Sequence, residues 1–170
     1  MNFKWIGAIM VIVGCGGFGF SLAAAHRREE TTLRQLIFAL DYMECELQYR
    51  LTPLPDLCRA AAGEQRGCVR DVLLCLSREL DAQISPDAER CMQAALSSVE
   101  DIPKYTREAL ADMGKTLGRF DLSGQLKGLE QVRASCRAEL ESLRSNREPQ
   151  LRSYQTLGLC AGAALAILLV

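Results

Sequence analysis

The chain has 170 residues, enough for one domain of ordinary size, with 20 basic and 21 acidic side chains and 6% aromatic residues. A near-neutral balance of that kind argues against nucleic acid as a partner. A single histidine, His26, and eight cysteines without a C-x-x-C pair argue against a metal centre and against Ser-His-Asp chemistry.

Charge is unevenly placed: apart from Lys4, every charged side chain lies between Arg27 and Arg152. After a short external N-terminus, 1–4, the segment 5–25 reads WIGAIMVIVGCGGFGFSLAAA. As a helix it would extend about 31 Å at roughly 1.5 Å per residue, which matches a hydrocarbon core of about 30 Å. A signal peptide is the rival reading, with Lys4 as its charged start and Ala23-Ala24-Ala25 as a cleavage pattern. Against it, His26-Arg27-Arg28 follow directly and the apolar stretch exceeds a signal peptide's usual length. The expectation is a retained membrane helix.

The polar part, 26–152, reads as helix throughout, because its apolar residues recur at 3–4 spacing and no useful alternation appears. The first predicted helix, about 30–50, carries Leu33, Leu36, Ile37, Leu40, Met43, Leu47 and Leu51. It runs into Thr52-Pro53-Leu54-Pro55, and the apolar stripe resumes at once in a second helix, about 53–62, with Leu54, Leu57, Cys58 and Ala61 and a stop at Gly63. Thr52 is placed to cap that helix, with Pro53 and Pro55 in its first turn, where missing N–H groups are not needed. The two prolines therefore form a corner at the tip of a stalk. A third helix, about 68–83, shows Val69, Val72, Leu73, Leu76 and Leu80. Ser85-Pro86 reads as cap and first turn of a fourth, about 86–99, and Pro103 opens a fifth, about 103–118. Asp121 or Ser123 can cap the sixth, about 122–148, striped by Leu122, Leu126, Leu129, Val132, Cys136, Leu140 and Leu143.

The last segment, 153–170, SYQTLGLCAGAALAILLV, is again uncharged and would reach about 27 Å as a helix. Beside the two apolar segments lie Arg27, Arg28 and Arg34 at one end and Arg137, Arg144, Arg147 and Arg152 at the other. The positive-inside rule then places 26–152 in the cytoplasm and both chain ends outside. The fold expected is all-α, a six-helix cytoplasmic bundle flanked by N- and C-terminal transmembrane helices. Its long first and last helices must lie antiparallel, since both spans enter one patch of bilayer. Within the spans, Cys15, Gly19 and Ala23, and Gly158, Gly162 and Ala166, recur every four residues, a spacing that lets helices approach closely in lipid. They suit packing of the two spans on each other, or docking with other membrane subunits.

Two charged residues fall on apolar stripes. At about 100° per residue, Glu44 lies about 20° from the centre of the first helix's stripe, and Arg133 about 20° from that of the sixth. Both sit about 28 Å above the membrane edge. They are expected to pair across the two helices as a buried structural ion pair that sets their register. Glu46, Tyr49, Asp56, Arg59 and Gln125 remain on polar surface. Tyr49 and Asp56 flank the proline corner, the point furthest from the membrane, where a cytoplasmic partner would arrive first. Most cysteines fall in apolar stripes or spans and behave as small hydrophobes. A thiol enzyme using Cys58 or Cys136 would want a histidine nearby, and His26 is far along the chain. GCGGFG at 14–19 lacks the Lys-Ser/Thr ending of a phosphate loop.

The first apolar segment, LRQLIFALDYMECELQYRLTPLPDL at 33–57, LGRFDLSGQLKGLE at 117–130 and the terminal LGLCAGAALAILLV at 157–170 together resemble the stage III sporulation protein AB family. Glu44 and Glu46 before Thr52-Pro53-Leu54, and Leu117, Gly118, Asp121 and Gln125, carry the more specific part of the pattern. The resemblance implies an endospore-forming bacterium and a channel complex between mother cell and forespore. The family is similar to the cytoplasmic domains of the inner-membrane platform protein of type II secretion and type IV pilus machines. By that analogy the protein sits in the mother-cell membrane around the forespore and connects a cytoplasmic secretion-type ATPase to the other membrane components. The family brings no catalytic residues, cofactor, metal or small-molecule substrate. The competing reading is a single-span or secreted helical adaptor with a cleaved N-terminal segment.

Overall fold

In a computed structural model, which describes residues 27–50, 52–82, 87–118 and 121–145, six helices and no strand are present among the described residues. Helix α1 occupies 27–49. It is followed by α2 (Leu54–Gly63), α3 (Gly67–Asp81), α4 (Ala88–Ser98), α5 (Lys104–Thr116) and α6 (Leu122–Ser145). The expected membrane segments, 5–25 and 153–170, lie outside the described residues, with Cys15, Gly19, Ala23, Gly158, Gly162 and Ala166. Among the described residues no helix is long and apolar enough to cross a membrane.

Each helix buries one stripe, and the stripes meet in a single core. Leu33, Leu36, Leu40 and Met43 of α1, Leu57 and Cys58 of α2, Val69, Val72 and Leu73 of α3, Leu110 and Met113 of α5, and Leu129 and Cys136 of α6 have no exposed surface. Met92 of α4 joins them. Truncating any one of the large members to alanine costs about 2–5 kcal/mol at sites this well enclosed. Consecutive helices from α2 to α6 pack on one another. The ring closes between α6 and α1, where Arg133 and Arg137 meet Asp41 and Arg144 lies 3.6 Å from Glu30. Partners rise along α1 as they fall along α6, so the two long helices are antiparallel.

The ends of the bundle follow from short contacts. At the start of α1, Arg28 donates to the Asp101 carboxylate (3.2 Å) and carbonyl (3.0 Å) in the α4–α5 loop. Asp101 adopts φ 62°, a left-handed conformation that aspartate accepts better than most residues. At the other end, Gly118 follows α5 with φ 70°, the left-handed residue that commonly closes a helix. A Cβ there would lie 3.6 Å from Leu54 and 3.7 Å from Ala88, so the end of α5 rests on the starts of α2 and α4. We call this end the tip and the end holding Arg28 and Asp101 the base.

The starts of the helices show where local reading succeeds. Asp121 accepts from the Gly124 N–H at 3.1 Å and caps α6. Replacing Asp121 by alanine is expected to cost about 1 kcal/mol, visible as a lower unfolding midpoint. For α4 the expected cap, Ser85 with Pro86, lies outside the described residues; Asp87 caps the helix by accepting from Glu89 N–H at 3.2 Å. At α2 the expectation is corrected. Thr52 does not cap the helix: the N-cap is Pro53, with no side-chain cap bond, and Pro55 is the second helical residue. The Thr52 hydroxyl instead donates to the Glu46 carboxylate at 3.1 Å. A charged acceptor forms the stronger bond, and proline at N-cap and second position leaves fewer orphan N–H groups for a hydroxyl to serve.

Candidate functional site

Two polar constellations stand out from the solvated surface, one along the α1–α6 seam and one at the tip. In the seam, Arg133 reaches from α6 to α1. Its Nη1 donates to Asp41 Oδ1 at 2.7 Å and to Glu44 Oε2. Arg137, one turn further along α6, lies 3.4 Å from Asp41 Oδ2. Arg133 and Glu44 are therefore brought together, but neither is fully buried: their side chains retain 19% and 27% exposure. The hydrogen bond that Arg133 donates to Asp41 is the main cause that raises the guanidinium above its ordinary value, against the opposing pull of desolvation.

The sequence reading missed Arg137 as a partner, and with it Asp41. Asp41 precedes Glu44 by one helical turn, as Arg133 precedes Arg137. Two acidic residues on one helix facing two basic residues on another is a pattern that counting both faces, and not only the residues nearest each stripe centre, would have found. Chemically the cluster is a clamp: an always-charged guanidinium shared by two carboxylates fixes distance and register between helices.

At the tip the proline corner is tied down by charge on both sides. Glu46 accepts from Thr52 and lies 3.6 Å from Arg50. Asp56, exposed in the first turn of α2, accepts from Arg59 at 2.6 Å, and Arg59 also reaches Asp81 at the end of α3. Pro53 is exposed and Pro55 half-buried. Tyr49 is 77% exposed, the most exposed large hydrophobic side chain among the described residues. Gln125 sits in the first turn of α6, its N–H bonded to the Asp121 carbonyl at 2.9 Å. Tyr49, Thr52, Pro53, Pro55, Asp56 and Arg59 thus gather around one corner. This arrangement is a mixed-charge corner with an exposed aromatic on its α1 side.

Cys58 and Cys136, the thiols weighed as nucleophiles, lie in a setting that disfavours the thiolate. Burial pushes the Cys58 thiol up to about 12 and the Cys136 thiol up to about 11, from an ordinary 9.0. A thiolate, not a thiol, is the attacking form. Cys45 is the exposed cysteine among the described residues. At about pH 8 a maleimide is expected to label Cys45 in the native protein and to reach Cys58 and Cys136 only after denaturation. Fast native labelling of either buried thiol would revive the thiol-enzyme reading. The same shifts give a pH dependence: the folded protein keeps these protons while the unfolded chain releases them above 9.0, so stability falls as pH rises from there towards about 11 and 12. No group of three or more His, Cys, Asp or Glu able to hold a metal occurs among the described residues.

Comparison with known proteins adds the following. The family model of Stage III sporulation protein AB matches residues 4–170. The chain is similar to the curated Stage III sporulation protein AB of Bacillus subtilis (strain 168), at 30% identity over 174 residues, which cover 98% of this chain and 99% of that protein. A solved structure of Stage III sporulation protein AB (SpoIIIAB) matches with a TM-score of 0.64 at 25% identity, covering 72% of this chain and 98% of the solved one.

Proposed function

The chain belongs to the stage III sporulation protein AB family, and from that premise we propose that it is a non-catalytic membrane scaffold of a secretion-like channel complex between mother cell and forespore. In this reading two apolar helices, 5–25 and 153–170, anchor it in the mother-cell membrane around the forespore. The bundle projects into the cytoplasm and couples a secretion-type ATPase to the other membrane subunits.

The observation that carries the reading is the pairing of the two long helices. Glu30 near the start of α1 lies against Arg144 near the end of α6, with a separation of 3.6 Å. Both apolar segments would depart from this same end of the bundle, a few residues before Arg27 and after Ser145. A pair of stalk helices clamped by Asp41, Glu44, Arg133 and Arg137 would carry force between lipid and tip without bending at the seam. The buried, high-pKa thiols and the lack of a histidine in the bundle agree with a structural role.

The tip is the face offered to the ATPase, through Asp56, Arg59, Pro53 and Pro55. The test is a photo-crosslinking side chain placed at Asp56 in sporulating cells. Capture of the ATPase supports the coupling role. Efficient capture of another component from Asp56, with the ATPase captured only from a different face, removes the tip as its dock.

A further inference from the structure

Helix α1 is apolar on two opposite sides. Its core stripe of Leu33, Leu36, Leu40, Met43 and Leu47 is buried. On the far side Phe38 is 56% and Tyr49 77% exposed, Cys45 is exposed and Tyr42 half-buried. At about 100° per residue, the centre of this second set lies about 170° from the centre of the first. Phe38, Cys45 and Tyr49 are therefore no fringe of the core stripe, while the half-buried Tyr42 also packs against the core. Single exposed hydrophobics need no explanation, but four in register on one face of one helix do. Their 4-3-4 spacing is that of a helix packing lengthwise on another helix.

We propose that Phe38, Tyr42, Cys45 and Tyr49 pack against the same four residues of a second copy, as a parallel, in-register helix pair. The inference rests on the anchored topology proposed above, and three observations favour a second copy as the occupant. First, α1 leads back towards the apolar segment 5–25. Two copies held in one bilayer by that segment would raise their α1 helices in the same direction from the same plane, which brings Phe38 to the height of Phe38. Second, the seven-residue register of the stripe, counted back along the sequence, passes Gln35, Thr31 and Arg28 and then falls on Ala24, Ser21, Gly17 and Gly14. Small residues at that spacing let two helices approach closely in lipid, and a helical continuation through 5–25 would carry the contact into the membrane. A strict seven-residue repeat of this length also winds two helices around each other in a left-handed sense. Third, none of the four stripe residues is charged, and Arg28, which the same register meets nearer the membrane, is held by Asp101 of its own bundle. Its acidic flanks already have basic neighbours in their own bundle: Asp41 has Arg133 and Arg137, and Glu46 has Arg50. A symmetric contact therefore sets no unpaired like charges against each other.

Cys45 lies in the middle of the stripe and reports on the contact. The experiment uses the full-length protein in native membranes with a short bis-maleimide. The expected result is a covalent dimer that persists in Cys15→Ser and Cys160→Ser and disappears in Cys45→Ser. It should also disappear in Phe38→Glu, whose exposed site leaves the fold intact, as checked by an unchanged circular dichroism melt. Absence of a Cys45-linked dimer, with Cys45 still confined to the cytoplasmic side by an impermeant label, overturns the pairing and leaves the anchored scaffold standing. Linkage of Cys45 to a different protein also overturns it, by making the stripe a heterotypic surface. Label entering Cys45 from outside the cell removes the topology and the pairing together.

Discussion

Reversing Arg133 to glutamate is expected to lower the stability of the bundle by about 3 kcal/mol. Removing one partner of a desolvated charge pair commonly costs about 3–5 kcal/mol, and the residual exposure of Arg133 and Glu44, 19% and 27%, puts the value at the low end. The reversal does more than delete a bond, since it sets a third carboxylate beside Asp41 and Glu44. The charge swap Glu44→Arg with Arg133→Glu should recover only part of the loss, because the new carboxylate at 133 would face Asp41, which native Arg133 holds at 2.7 Å. Adding Asp41→Asn to the swap should restore most of the remainder. Urea unfolding of the detergent-solubilised protein measures the Arg133→Glu and Glu44→Arg single reversals, the swap and the triple variant. A swap as poor as the single reversals, with no gain from Asp41→Asn, would show that the cluster does not set the α1–α6 register.

Replacing Gly114 by alanine is expected to cost about 2–3 kcal/mol, against the intrinsic gain of about 1 kcal/mol that alanine brings to a helix interior. The sign is decided by space. A Cβ at 114 would meet Met92 Cβ at 2.6 Å and Met92 Cγ at 2.9 Å, where α5 crosses α4. Because the obstacle is the first side-chain atom and not the flexible end, Met92→Ala should not relieve the clash, whereas Met92→Gly should. Gly128 plays the same part between α6 and α5, with Thr116 Cβ at 2.6 Å. Thermal unfolding that shows Gly114→Ala to be neutral or stabilising would mean that the two helices are further apart than described.

The helical class and the core were legible because leucine, valine and methionine recur at 3–4 spacing with little interruption. Leu33, Leu36, Leu40 and Met43, or Val69, Val72, Leu73 and Leu76, could be assigned to one face by counting alone. Helix starts were less so, since several polar residues compete for each cap. Asp121 wins at α6, while Thr52 loses the role at α2 because Glu46, six residues back along the chain and invisible to a local cap rule, offers its hydroxyl a charged acceptor. Tertiary polar contacts were legible only where both members lay near a stripe centre. Glu44 and Arg133 met that condition; Asp41 and Arg137, on the flank, did not. The pairings Arg59–Asp81 and Arg28–Asp101 join residues far apart in sequence at opposite ends of the bundle, and neither has a local signature. The outer stripe of α1 was readable in principle, but a helix already credited with one apolar face hides a second.

The most direct test of the scaffold reading is the side of the membrane on which Cys45 resides. A membrane-impermeant maleimide applied to protoplasts of sporulating cells, and separately to inverted vesicles from the same cells, should label Cys45 only in the inverted vesicles, with the protein remaining in the membrane fraction after carbonate washing. Labelling of Cys45 in intact protoplasts, or release of the full-length protein by carbonate, would contradict an anchored bundle facing the mother-cell interior.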